Sequence, residues 1–279
     1  MMRSWLALAL IAGALLVSAA AAAPIDGEPA GEPAVPIEID AEKGIEWRRE
    51  EKIVYARGNA RAVRGDLVVT AEELAAHYRD LPDGGQEVWR LDARGDVKIT
   101  TPGETAFGDS GIYNLDTRIL LLYGRPARLN SGKDVVTADD HLEYSPRTQV
   151  LIARGNASAV QPNREVRADE LTISLARRDD GGSGLQRIEA DRNVRVITPQ
   201  EVMRGNQGTY DVTSGIATLN GDVRITRGEN QLNGCRGEMN TKTGISRLLA
   251  CGDGQSARQR VHGVILPGAS GGDGGNKRR

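Results

Sequence analysis

Few side chains in this chain are placed to do covalent chemistry. The histidines are three, His77, His141 and His262, scattered along the sequence; the acidic neighbours that stand out are Glu72 with Glu73 and Asp139 with Asp140. Glycoside cleavage or any other acid–base hydrolysis needs two carboxyl groups converging on one cleft. Adjacent residues on a strand point to opposite faces, so neither acidic pair, read as strand, makes a working couple. Cys235 and Cys251 lie 16 residues apart and lack the spacing and histidine company of a metal site. They leave two readings open, a disulfide between neighbouring strands or two free, partly buried thiols. The sequence thus points to no catalytic residues, no metal and no cofactor.

What the chain does have is repetition. Seven strand-like phrases follow the form apolar-x-apolar-x-Gly-Asx-apolar-x-apolar, anchored at Gly58, Gly95, Gly124, Gly155, Arg192, Gly221 and Gly252. The steps between anchors are 37, 29, 31, 37, 29 and 31 residues, so a three-step block is duplicated at an offset of 97. Residues between the anchors match as well. ARGNARAV at Ala56 returns as ARGNASAV at Ala153, AEEL at Ala71 as ADEL at Ala168, Thr101-Pro102 as Thr198-Pro199, and Tyr113 as Tyr210. Such a period marks a stacked-strand array, each unit burying its apolar face against its neighbours. Arg192 breaks the glycine rule and shows that the turn expected there tolerates a side chain.

Composition agrees with this reading. Aromatic residues make up 4%, with a single phenylalanine, while glycine numbers 34. A turn-rich all-β architecture follows more readily than a helical one. A formal net charge of −2 gives no reason to expect nucleic acid as a partner. Residues 1–22 read as a secretory signal peptide, with Arg3, an apolar run from Trp5 to Val17 and small residues up to Ala23. Residues 23–36 read as an extended, proline-bearing linker, 37–267 as the folded unit with internal repeats of about 54–150 and 151–252, and 268–279 as a disordered glycine-rich tail. Ala71 to Tyr78 has some helical character, yet its duplicate alternates strictly at Leu171, Ile173 and Leu175; both read as strands.

Counting from each anchor, positions −4, −2, +2 and +4 are apolar and the positions between are polar. The first unit gives Val54, Ala56, Ala60 and Ala62; the sixth gives Ala217, Leu219, Val223 and Ile225. One sheet face is therefore apolar throughout, and Arg57, Asn59, Asp222 and Arg224 face water. The outgoing strand after Gly124 carries Pro126 and is expected to be irregular or shifted by one. Several inner positions are alanine, which is compatible either with a lengthwise apolar gap between two walls or with a tightly filled core of small residues.

The opening PIEIDAEKGIEW at Pro36, the G-N/D strand phrases, the A-D/E-x-L phrases and the closing RVHGVILP at Arg260 resemble the LptA/OstA family of periplasmic lipopolysaccharide-transport proteins. The resemblance runs over roughly Pro36 to Pro267; the second copy of the block departs from the shorter family members. It implies an elongated antiparallel β-jellyroll, open along one side, whose apolar interior holds the acyl chains of lipid A. It also implies a periplasmic bridge with an LptC-like inner-membrane protein at the N-terminal edge and an LptD-like outer-membrane protein at the C-terminal edge, or head-to-tail self-association. Ile37 and Ile39 match the family's groove-entrance isoleucines. The inner rows supply the other candidate lipid contacts: Val54, Leu67, Val69, Leu91, Val97, Ile99, Leu120, Leu122, Leu151, Leu171, Ile173, Ile188, Val194, Leu219, Val223 and Ile225. Each of these is equally open to a purely structural reading. Ile37 and Ile39 at one end, and Val261, Val264 and Leu266 at the other, are the expected partner edges. Two other functions compete: a structural or adhesive β-solenoid with a filled interior, and a polysaccharide-active enzyme.

Overall fold

Alternation along the sequence becomes strand almost everywhere in the computed structural model, which describes residues 37–82, 84–177, 183–243, 245–250 and 261–264. The expected signal peptide, linker and tail, and with them Cys251 and Leu266, lie outside the described residues. Two short strands open the chain, β1 (Glu38–Asp40) and β2 (Gly44–Arg48). Four long ones follow, β3 (Ile53–Arg64), β4 (Leu67–Asp80), β5 (Gln86–Thr101) and β6 (Glu104–Asn114). Four short strands come next, β7 (Ile119–Tyr123), β8 (Ala127–Ser131), β9 (Asp134–Ala138) and β10 (His141–Ser145). Six long strands continue the series: β11 (Val150–Gln161), β12 (Arg164–Arg177), β13 (Ser183–Ile197), β14 (Val202–Asp211), β15 (Ile216–Arg227) and β16 (Asn230–Asn240). The described residues end with β17 (Ile245–Leu249) and β18 (His262–Val264). Ala71 to Tyr78 lies in β4, as strand.

The repeated Gly-Asx anchors are not turns between strands but bulges inside them. Gly58, Gly95, Gly155 and Gly221 have φ of 75–80°, and the following Asn59, Asp96, Asn156 and Asp222 have φ of 42–47°. Asn and Asp tolerate this left-handed region better than other side chains, which explains the dipeptide. Arg192 and Asn193 adopt the same conformation, at φ 60° and 53°. At each bulge the register slips: Arg57 pairs with Glu73 and Ala60 with Ala71, so two residues face one. A Cβ on Gly58 would meet Lys43 Cγ at 2.6 Å, so close approach adds to the conformational demand there.

A bulge bends its strand, and the five such bulges among the described residues, in register, fold the sheet along a crease. Where long strands meet short ones, their two halves pair with different neighbours. The first half of β3 pairs with β2 and its second half with β1; β6 pairs with β7 on one side of the crease and β8 on the other; β16 ends with β17 on one arm and β18 on the other. The two expected walls are thus two arms of one continuous antiparallel ladder. At Gly124 the crease is made differently. That glycine has no left-handed φ, the chain breaks between β7 and β8, and Ala127 and Leu129 are buried while Arg128 is outward, the one-residue shift foreseen from Pro126.

The inner alanines lie at the crease. Ala56, Ala60, Ala127, Ala138, Ala153, Ala157 and Ala190 are buried there, where the arms converge and larger side chains would not fit. Ala56 and Ala190 also border open space, which lies beside positions ±2 and ±4 from the anchors.

Candidate functional site

Two large apolar chambers lie between the arms among the described residues. The N-terminal one, about 550 Å³, is formed by β1 and β3 to β6 and lined by Ile37, Ile39, Val54, Leu67, Val69, Leu91, Val97, Ile99 and Leu120. The C-terminal one, about 790 Å³, is formed largely by β12 to β16 and lined by Ile173, Ile188, Val194, Leu219, Val223 and Ile225. Of the residues singled out in the sequence, Leu122 and Leu151 fall between the chambers, in a packed region with only about 40 Å³ of space. Leu171 lines neither chamber and is fully buried. Val261 and Val264 are exposed on and beside β18, at the C-terminal end of the ladder.

Each chamber has charged residues of both signs in its lining, with arginines beside one of the duplicated tyrosines. Tyr113 lines the N-terminal chamber with Arg64 and Arg118, whose charges partly offset the burial that pushes its hydroxyl above the ordinary value. Tyr210 lines the C-terminal chamber, and the Arg164 guanidinium sits 5.4 Å from its ring centroid. Arg227 lines the same chamber and donates to Glu201 Oε2 at 2.8 Å. An apolar cavity with charged and hydrogen-bonding groups at its edge suits an amphiphile with a polar head.

The residues with potential for covalent chemistry are occupied in holding the bulges and the outer face. Glu72 and Asp169 are the single residues opposite the bulges at Gly58 and Gly155, and Asn193 donates to Asp169 at 3.0 Å. Cys235 occupies the same slot opposite Gly221 and Asp222; its expected partner lies outside the described residues. Asp139 and Asp140 form the bend between β9 and β10 rather than a strand, and Asn156 donates to Asp139 at 2.9 Å. Glu73 accepts from Arg57 at 2.6 Å, a pair duplicated in Arg154 and Glu170 at 3.0 Å. His77 lies 3.3 Å from Asp92, which Arg90 also engages at 2.6 Å. No group of three or more His, Cys, Asp or Glu among the described residues is arranged to hold a metal.

One buried acid escaped the sequence reading. Glu104, at the start of β6, is buried between the chambers; Ser131 Oγ lies 3.4 Å from its Oε1, and Oε2 has no hydrogen-bond partner, nor has the nearby Thr101 Oγ1. Burial pushes its carboxyl up to about 7, against a smaller pull downward from Ser131.

The family profile of the LptA/LptD N-terminal domain LPS transport proteins matches twice in tandem, over 38–140 and 136–245. The chain belongs to this family. The two matches correspond to the two copies of the block; the N-terminal chamber falls in the first, and the C-terminal chamber falls mostly in the second, with Asp134, Val135 and Val136 of β9 added from the first. An uncharacterized protein of Rhizobium meliloti (strain 1021) is 27% identical over 104 residues, 36% of this chain, and the match spans 55% of that relative's length. The crystal structure of LptH, the LptA homologous periplasmic component of the lipopolysaccharide transport device of Pseudomonas aeruginosa, aligns with 84% of this chain and 96% of its own. Its identity is 14% and its TM-score 0.21. Membership in the LptA/LptD family therefore rests on the tandem profile matches.

Proposed function

We propose that this LptA/LptD-family chain is a periplasmic lipopolysaccharide carrier that shelters lipid A acyl chains between the arms of its folded sheet. The observation that carries the reading is the pair of large apolar chambers, each with arginines in its lining, in a family of LPS transport proteins. Each methylene removed from water contributes roughly 0.8 kcal/mol, so several long tails cannot cross an aqueous compartment unshielded. The chambers take the tails, while Arg64, Arg118, Arg164 and Arg227 face the phosphorylated head.

The bridge to other components lies at the ends of the ladder. Exposed large apolar residues concentrate there: Ile39, Ile45 and Trp47 on β1 and β2, and Ile245, Leu249, Val261 and Val264 on or beside β17 and β18. Each end offers two edge strands, one per arm, to which another jellyroll adds by backbone hydrogen bonding. An LptC-like domain meets the first end and an LptD-like domain, or a second copy, the last. A structural β-solenoid has no use for empty apolar chambers, and a polysaccharide-active enzyme needs converging carboxylates, which here are tied to bulges and arginines. The test is recovery of the protein from a lipopolysaccharide-producing cell. Bound lipopolysaccharide in stoichiometric amount is expected; its absence from folded protein would overturn the assignment.

A further inference from the structure

We propose that the chain holds two separate acyl-chain sites, one in each copy of the duplicated block, divided by a septum of Leu120, Leu122, Leu129, Leu142, Tyr144 and Leu151, so that one chain binds two amphiphiles at once. The inference rests on the lipid-carrier reading above and makes it quantitative. The two chambers share no lining residue, and the cavity that lies between them holds only about 40 Å³ and borders the N-terminal chamber at Ile99 and Leu120. Leu122 is 2% exposed and Tyr144 3%, and neither lines a chamber.

The reason lies in how the two copies differ. At the offset of 97, Leu120 corresponds to Ala217 and Tyr144 to Thr241, and both smaller residues line the C-terminal chamber. Across the joint, Val54 and Ala76, which line the N-terminal chamber, correspond to Leu151 and Ile173. Large side chains have therefore accumulated where the end of the first copy meets the start of the second. Duplication alone would have left one continuous slot.

Glu104 supports the same division. Its counterpart Glu201 stands at the open chamber mouth, where Arg227 pairs with it, but position 130, which corresponds to Arg227, is Asn. Without that cation the Glu104 carboxyl is folded inward against Ser131, beside Leu129 and Tyr144. Chambers of about 550 and 790 Å³ each have room for acyl chains. A tail in one chamber cannot slide into the other unless the septum opens.

Native mass spectrometry of the full chain with hexa-acylated lipid A tests this. Two bound molecules are expected for the unaltered chain, one for Ala76→Trp, which fills the N-terminal chamber, and one for Ala217→Trp, which fills the other. The double variant is expected to bind none, with circular dichroism confirming that each variant keeps its strands. A single bound molecule on the unaltered chain overturns the two-site inference, leaves the carrier reading standing, and needs no variant to be folded. No bound lipid A at all overturns both.

Discussion

Burial of the Glu104 carboxyl, with one oxygen lacking a partner, makes its charged form costly. A carboxyl whose pKa rises from 4.5 to about 7 on folding favours the native state while protonated; that contribution is fully present below about pH 4.5 and is lost as pH climbs through about 7. The loss is on the order of 3 kcal/mol at about 1.4 kcal/mol per unit. Glu104→Gln should therefore raise the denaturation midpoint at about pH 8 and change it little at about pH 5, as urea titrations at the two values would show. An equal effect at both would mean the carboxyl is hydrated in the folded chain. The crease makes a second demand at the same scale. Ala157 is fully buried beside the Gly155 bulge, so Ala157→Leu should cost about 1–3 kcal/mol by overpacking, read as a lowered thermal midpoint. The same change at half-buried Ala217, which faces a chamber, should cost much less. Equal losses at the two sites would contradict the distinction between crease and chamber.

Strands were legible because the anchor phrases impose a period of two on each side of a conserved-in-form dipeptide, and the sheet keeps that phase. Hidden from the sequence was the role of the dipeptide itself. Gly58-Asn59 reads as a turn, and only the pairing of Arg57 with Glu73 and Ala60 with Ala71 reveals a bulge that bends a continuous strand. The terminal edges were half legible. The sequence points to Ile37, Ile39, Val261, Val264 and Leu266 on the first and last strands, but β2 and β17 supply the most exposed described residues, Trp47 at 57% and Ile45 and Ile245 at 56%. Their short strands gave no periodic signal of their own. If these edges dock other jellyrolls, Ile45→Asp should weaken association at the N-terminal end and Ile245→Asp at the C-terminal end. Surface positions of this kind usually change stability by no more than about 0.5 kcal/mol. Crosslinking between differently tagged copies, or to partner domains, checks this; undiminished association in both variants would exclude the edges.

At the scale of the molecule, two family domains in tandem have joined into one folded ladder, and the joint is filled where the outer parts of each copy are hollow. The repeat and the apolar face were legible in the sequence, since both are periodic. The septum was not, because it depends on which unlike residues of the two copies come side by side along one arm, Leu120 beside Tyr144 and Tyr144 beside Leu151. The central claim is that fatty tails occupy the space between those arms. Ile188 lines the C-terminal chamber and Glu189, the next residue, is exposed on the opposite face. Site-specific photocrosslinking from each position in lipopolysaccharide-producing cells compares inside with outside directly. Lipopolysaccharide adducts from position 188 and few or none from position 189 are the predicted result; equal yields from the two positions, or none from 188 in a folded, exported chain, would contradict the account.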